Sequence, residues 1–486
     1  MTRFNKVRPK AKARSRSNSH APGNSRSRGK PQDEPEQKPR QNQKYAERAR
    51  KRAIREAEEN AKRMPALNLQ MIAQDAMEKY GFDPKFSLVV NAKANAHDEI
   101  MIKKVGTTLR DLRHLLWSSI DSYYARDLDQ IEYCERGQSR EILVKVAIAD
   151  VDAFVPKGSI LDEHAGANAT SVYPGKEAFP MLPEQLSCDL SSFPMDCDRL
   201  AIVVEFAVLP RGNVRFGKIY RAFVRNKAQL SLGEVGAWLD GREEIPEIFE
   251  EMPELGEQIK LQEEASLRLS KFRAGEVEAR DAAAGDKAKG ATDAIGEDKT
   301  LGLCVVETDR AKMIIENFLI CANKGMMGLL EGAHLSPIHK VVVIPKDWNG
   351  VMEIASAKGF TLPSDPDAHA LSEFLAKEKK ANPAGFSDLS LEIAKLLGPG
   401  EYALFDKREP VEYFCIAITD YFVGTAPNQR YMDLIVQRLV KAAVAHIATP
   451  YSKAELTELA IWCTEKEHAA KKVERTVQFA STSEKP

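Results

Sequence analysis

Residues 118–133 read SSIDSYYARDLDQIEY. Three carboxylates, Asp121, Asp127 and Asp129, fall within nine residues, between Trp117 and an alternating apolar stretch. Carboxylates that close repel one another and need a cation, a proton or water between them. If residues 127–133 are extended, Asp127 and Asp129 point to one face and Gln130 to the other. Asp121, at the end of a preceding strand, then converges on the aspartate face. Acidic clusters in turns are often merely solvated, so the spacing needs weighing against alternatives. A calcium loop of the EF-hand type fails, because Ile131 and Glu132 follow Asp129 where that loop needs a glycine. A glycosidase pair remains compatible with the spacing, although nothing else in the chain supports one. Oxygen-only ligands at a shared point suit Mg²⁺, or Mn²⁺, and such ions serve phosphoryl transfer.

The flanking segments extend this reading. Residues 139–155, SREILVKVAIADVDAFV, alternate and then run apolar, as a buried strand does. LAIVVEFAV (200–208) reads as a second strand, and a Pro-Arg-Gly-Asn turn leads into RGNVRFGKIYRAFVRNKA as a hairpin. From 254 onward the pattern is helical. MPALNLQMIAQDAMEKYGF (64–82) has helical spacing with Gly81 as its stop. Further helices are expected over 313–332, 366–380, 387–397, 431–448 and 453–476, with a strand over 413–422. Residues 274–299 read as a mobile loop or frayed helix.

Composition bounds the partners. The 486 residues carry a net charge of −1. Residues 1–63 hold 20 Lys/Arg against 7 Asp/Glu, and the remainder 50 against 64. The basic tail suits a polyanion and the acidic body suits divalent cations. Residues 1–62 nearly lack aliphatics and are expected to be disordered, either as a solubilising tail or as a tether for RNA. The seven cysteines are scattered with no CxxC pair, which disfavours zinc and, with no signal peptide, favours a reducing cytoplasm. No run of 18 apolar residues occurs, so no membrane partner is expected.

The segment DLRHLLWSSIDSYYARDLDQI (111–131) resembles the opening signature of the RNB domain, the catalytic domain of the RNase II and RNase R exoribonucleases. The resemblance continues in order. VKVAIADVDAFVPKGSILDEHAGANATSVYPGKEAFPMLPEQLSCDLSS (144–192) is similar to the family block with IADVSHYV, TSVY and PMLPE. DRLAIVVEF (198–206) is the usual next strand, and MIIENFLICAN (313–323) is similar to the IEE.M..AN helix. TAPNQRYMDLIVQRLVKA (425–442) is a variant of TSPIRRY.DL..HR.L, and CTEKEHAAKKVERTV (463–477) resembles the closing helix. The blocks span roughly residues 100–476.

The resemblance implies an α/β (α+β) fold, a mixed sheet wrapped by helices around a channel for the RNA 3′ end. It divides the chain into a basic tail (1–62), a short helical connector (63–100), the RNB domain (101–450) and a closing helix and tail (451–486). It implies a 3′→5′ hydrolase of single-stranded RNA that releases nucleoside 5′-monophosphates and depends on Mg²⁺, with Mn²⁺ as an alternative. Asp121, Asp127 and Asp129 would bind that ion. Gln130 stands where a fourth acid is common; its amide can ligate through oxygen but brings no charge. Gln429 occupies the place of the first arginine of TSPIRRY, thought to act near the scissile phosphate, so Arg430 would have to serve instead or activity falls. Tyr173 would stack on a nucleotide or cover the core. Glu316 would bond a ribose 2′-hydroxyl or merely face solvent, and Glu474 would lie near the final nucleotide or be solvated. Asp150 would orient a ligand or an arginine, or cap a strand, and Arg438 is expected in a structural ion pair. The other class of reading is an RNB fold that binds RNA without cutting it. No complete oligonucleotide-binding barrel fits residues 64–100 and none follows the closing helix, from which weak, salt-sensitive RNA binding and low processivity are expected. A monomer is expected.

Overall fold

The structure is a computed structural model that describes residues 69–97, 109–123, 125–175, 178–284, 309–342, 344–382, 385–405 and 423–482. The chain divides into two units, Met1–Met64 and Pro65–Pro486, and every described residue belongs to the second. The basic tail, the segment 285–299 and the strand expected over 413–422 lie outside the described residues.

Five strands build the centre: β2 (Trp117–Asp121), β3 (Gln130–Arg136), β4 (Ile142–Ala149), β5 (Asp198–Val208) and β6 (Val214–Ser231), with the short β1 (Arg110–Asp111) at one margin. β2 to β3, β3 to β4, β4 to β5 and β5 to β6 are antiparallel, whereas β6 pairs with β1 and β2 in parallel. The 18 residues of β6 are long enough to serve two partners. Its first part runs along β5 to Arg225, and its last part runs along β2, ending on the pair Asp121↔Ser231. The pairings therefore close into a ring of five strands. β5 and the second half of β4 are buried on both faces, as their apolar runs require, whereas the first half of β4 alternates.

Helices supply the cover. α1 (Leu69–Lys79) stops at Gly81, which takes φ +81°, and α2 (Leu88–Asn95) is capped by Ser87, whose hydroxyl accepts from the Val90 amide. α3 (Ile160–Asn168) follows β4, α4 (Leu232–Leu239) and α5 (Glu247–Glu251) follow β6, and α6 (Pro253–Ala284) runs along β3. α7 (Arg310–Gly332) is long and apolar enough to cross a membrane. Ile314, Phe318, Ala322, Met326 and Leu330 instead bury it against the sheet in the main core with Val204 and Phe206. That role accounts for its composition.

Between α7 and the next core helix the chain forms a lobe with its own core, including Trp348, Leu371, Phe374, Ile393 and Leu397. It comprises β7 (Ile338–Val341), α8 (Trp348–Ala357), α9 (Ala368–Ala381), α10 (Phe386–Leu397) and β8 (Glu401–Leu404), with β7 and β8 paired antiparallel. α11 (Tyr431–Ala445) is buried on every side from Tyr431 to Val440. A helix so placed must satisfy its polar groups internally. Gln437 donates to Ala149 O at 2.7 Å and accepts from the Asp152 amide at 3.0 Å. Arg438 bonds Asp152, Asp162, Val155 O and the Tyr451 hydroxyl, so it is structural. α12 (Lys453–Thr482) closes the fold and runs past the expected end at 476.

Candidate active site

The site begins with strand register. Ser118 of β2 faces Glu132 of β3. Antiparallel pairing therefore leads the end of β2, at Asp121, back beside residues 127–129, just before β3 begins. The connecting loop is splinted from outside. The Ser192 hydroxyl accepts from the Leu128 amide at 2.8 Å and donates to Arg126 O at 3.0 Å, while the Phe193 amide donates to Leu128 O at 3.2 Å. The Gln229 side-chain Nε2 donates to Ala125 O at 3.0 Å.

The segment 425–430 enters from the opposite end of the chain. Gly424 takes φ +113°, and a β-carbon there would stand 3.0 Å from Met326 and Val436, so the turn that delivers the segment needs glycine. The Ser171 amide donates to Gln429 O and the Tyr431 amide to Ala169 O, each at 2.8 Å, which lays 169–173 beside 429–431. Asp433, in the first turn of α11, accepts from the Thr425 and Ala426 amides at 3.1 and 2.9 Å and from Arg430 Nη2 at 2.7 Å.

These segments enclose a cavity of about 250 Å³ lined by Asp121, Asp127, Asp129, Gln130, Gln429 and Arg430, with Leu319, Thr425 and Ala426 completing the wall. Gln130 therefore does not turn away from the aspartates, as strand alternation led one to expect. Regular strand begins only at Gln130, so alternation does not govern residues 127–129. Asp127 accepts a 2.6 Å hydrogen bond from the Tyr173 hydroxyl, and the Tyr173 amide donates to Glu474 Oε1 at 3.4 Å. Tyr173 and Glu474 thus adjoin the cavity without being part of its wall. Glu316 is absent from the wall; it sits one helical turn before Leu319 on α7 and pairs with Lys312 at 3.8 Å. Asp150 orients no aspartate of the cluster: it holds Arg221 and Lys441.

The electrostatics are those of acids short of counter-charge. Burial and then the facing Asp127 push Asp121 up to about 7. Asp129, almost fully buried, is raised well above its ordinary value by burial first and Asp127 second, although Asn428 opposes the shift. Glu132, buried beside Ser118, is raised by burial and then by Asp121, and neither of its oxygens has a hydrogen-bond partner. Asp121 Oδ2 and Asp129 Oδ2 are likewise buried without a partner. Arg430 is the cation in the wall, and its Nη2 is engaged by Asp433 while its Nε is buried without a partner.

Orphaned carboxylate oxygens at one cavity fit a hard divalent cation. Among the described residues no three His, Cys, Asp or Glu side chains are already drawn together as a metal cage. The aspartates line a common space, and Asp127 accepts from Tyr173. Asn428, Ser191, Ser192, Asp433 and Glu132 escaped the sequence reading. Asn428 was visible inside TAPNQRY, but its partner lies 299 residues away.

The RNB domain family matches residues 109–446, well over half of the chain. The chain belongs to the RNB domain family. Ribonuclease R of Vibrio parahaemolyticus is 28 % identical over 368 residues, covering 74 % of this chain and 41 % of that protein. Ribonuclease R 2 of Lactococcus lactis is 26 % identical over 409 residues, covering 82 % of this chain and 59 % of that protein. The chain thus spans about half the length of these curated relatives. Among solved structures, Mycoplasma genitalium RNase R in complex with ribose methylated single-stranded RNA superposes with a TM-score of 0.67 at 22 % identity, over 86 % of this chain and 64 % of that one. Yeast Ssd1, a pseudonuclease, superposes at 0.55 and 15 % identity, over 76 % of this chain and 44 % of that one. At such identities the superpositions establish the mixed α/β RNB fold.

Proposed function

We propose that this RNB domain is a divalent-cation-dependent 3′→5′ exoribonuclease that hydrolyses single-stranded RNA to nucleoside 5′-monophosphates. The observation that carries the reading is the gathering of Asp121, Asp127 and Asp129 around one cavity with buried, unpartnered carboxylate oxygens. Asp121, Asp127 and Asp129 would hold Mg²⁺ or Mn²⁺, with Gln130 able to add an amide oxygen. Such an ion neutralises phosphate charge and makes water a nucleophile near neutral pH. The protein's own part is placement. Asn428 fixes Asp129, the Ser192 splint fixes the loop, and Tyr173 presents an aromatic face beside Asp127 for a terminal base. Burial of the cluster strengthens every charge interaction within it.

A second reading is an RNB domain that binds RNA without hydrolysing it. Gln429 favours it, since an amide cannot neutralise charge developing on a phosphate, and Arg430 is held by Asp433. The structural likeness to the pseudonuclease Ssd1 points the same way. Incubation of the protein with 5′-labelled single-stranded RNA in Mg²⁺ and in EDTA separates the two. The first reading requires a cation-dependent ladder shrinking from the 3′ end with 5′-monophosphate products. RNA that stays intact while bound supports the second.

A further inference from the structure

Asn428 is 1 % exposed and makes four hydrogen bonds. Its backbone amide and its side-chain Nδ2 both donate to Oδ1 of Asp129, at 3.1 and 2.9 Å. Nδ2 also donates to the carbonyl of Ser191, and Oδ1 accepts from the Ser191 hydroxyl at 2.7 Å. The orientation of the amide is dictated by chemistry: Nδ2 faces a carboxylate and a carbonyl, which only accept, and Oδ1 faces a hydroxyl that can donate. Ser191 and Asp129 are each 2 % exposed.

The consequence falls on Asp129. Two donors converge on a single oxygen, Oδ1, so the carboxylate cannot rotate about its terminal bond without breaking both. The other oxygen, Oδ2, is left buried without a partner in a residue that lines the cavity. Ser191 in turn belongs to the segment whose next two residues splint the 126–128 loop. Loop and clamp are therefore anchored on the same three residues, 191–193.

We propose that Asn428, seated on Ser191, is a positioning residue that spends Oδ1 of Asp129 on protein donors and reserves Oδ2 for the divalent cation. The proposal rests on the cation-dependent reading of the site and adds to it the residue that sets the ligand's geometry.

The test is direct Mn²⁺ binding, read by electron paramagnetic resonance of the free ion, on the full chain. Asn428→Leu removes the side-chain donor and keeps the shape and the backbone amide. Its Mn²⁺ affinity is expected to fall by about 10- to 100-fold, the usual cost of losing an outer-shell partner of a metal ligand. Ser191→Ala, which touches neither the cavity nor Asp129, is expected to weaken Mn²⁺ in the same direction. Combined with Asn428→Leu it should add little, because both act through one clamp. Saturating Mn²⁺ should restore the hydrolysis rate in both. Variants that keep their thermal transition and bind Mn²⁺ as the parent does overturn the clamp. A parent that binds no Mn²⁺ overturns the metal reading itself, and the clamp with it. Should Asn428→Leu fail to fold, Ser191→Ala alone decides.

Discussion

The hydroxyl of Tyr173 donates a 2.6 Å hydrogen bond to Oδ2 of Asp127, across 46 residues of sequence. Burial and Asp127 both raise the phenol above its ordinary range, so it stays a donor at neutral pH. The contact gives Tyr173 two separable roles. Tyr173→Phe frees Asp127 but keeps the ring, and RNA affinity should be nearly unchanged. Tyr173→Ala removes the ring as well and should weaken RNA binding by about 1–3 kcal/mol, the worth of one stacked base. Fluorescence anisotropy with single-stranded RNA in EDTA measures both, and equal affinities for the two variants would remove stacking from the account.

Asp129→Asn keeps an oxygen for the Asn428 donors and deletes the charge. Hydrolysis should be lost while RNA binding survives. Single-turnover decay of labelled RNA, set beside a binding titration, checks this, and a variant as fast as the parent would mean the cation site lies elsewhere.

Gln429→Arg adds to the cavity wall a second guanidinium, one not engaged by Asp433 as Arg430 is. The single-turnover rate should rise, by up to about 10²–10³ if the new group meets charge developing on the phosphate. An unchanged rate would show that another group already meets that charge.

Asp433 has a fully buried carboxylate that serves two backbone amides and Arg430. Asp433→Ala leaves that guanidinium without its charge partner and should cost about 3–5 kcal/mol of stability. Urea unfolding measures it, and a loss below about 1 kcal/mol would mean water or a neighbour replaces the carboxylate, as at exposed ion pairs.

Asp121 has a folded-state pKa of about 7 against an ordinary 3.8. Between those values the folded protein keeps a proton that the unfolded chain has released. The resulting stability is complete below 3.8 and is lost as pH rises through about 7. Asp129 and Glu132, also raised, act in the same direction. Cation-free protein should therefore melt at lower temperature as pH rises toward about 7, and divalent cations should bind more tightly and release protons over that range. Thermal scans in EDTA and in Mg²⁺ across this interval check both, and a melting temperature in EDTA that rises with pH would contradict the assignment.

Much of the fold was legible because it is local. The run that became β4 alternates and then turns wholly apolar, the run that became β5 is nearly continuous, and their burial follows those patterns. Gly81 ended its helix as read, because φ +81° suits glycine and little else. Gln130, named as a possible amide ligand, lines the cavity with the aspartates, although alternation across 127–130 put it on the other face; the regular strand starts only at that residue. Tyr173 and Glu474 were named from separate blocks, yet the contact between them depends on α12 returning along α1 and β8.

The sequence by itself determined the central strands, most of the long helices, the family they belong to and the three aspartates of the cavity, but not β7 and β8, which fall where the pattern read as helical. Hydrophobic period, turn chemistry and the spacing of acids are written over short stretches. Tertiary structure alone decided who partners whom in the cavity. Asn428 reaches Asp129 across 299 residues, and Arg430 and Gln429 both line the wall while Asp433 engages Arg430. A hydrogen bond is selected by angstrom-scale geometry between segments that only the closed sheet and the buried helix α11 bring together, and no local pattern encodes that distance.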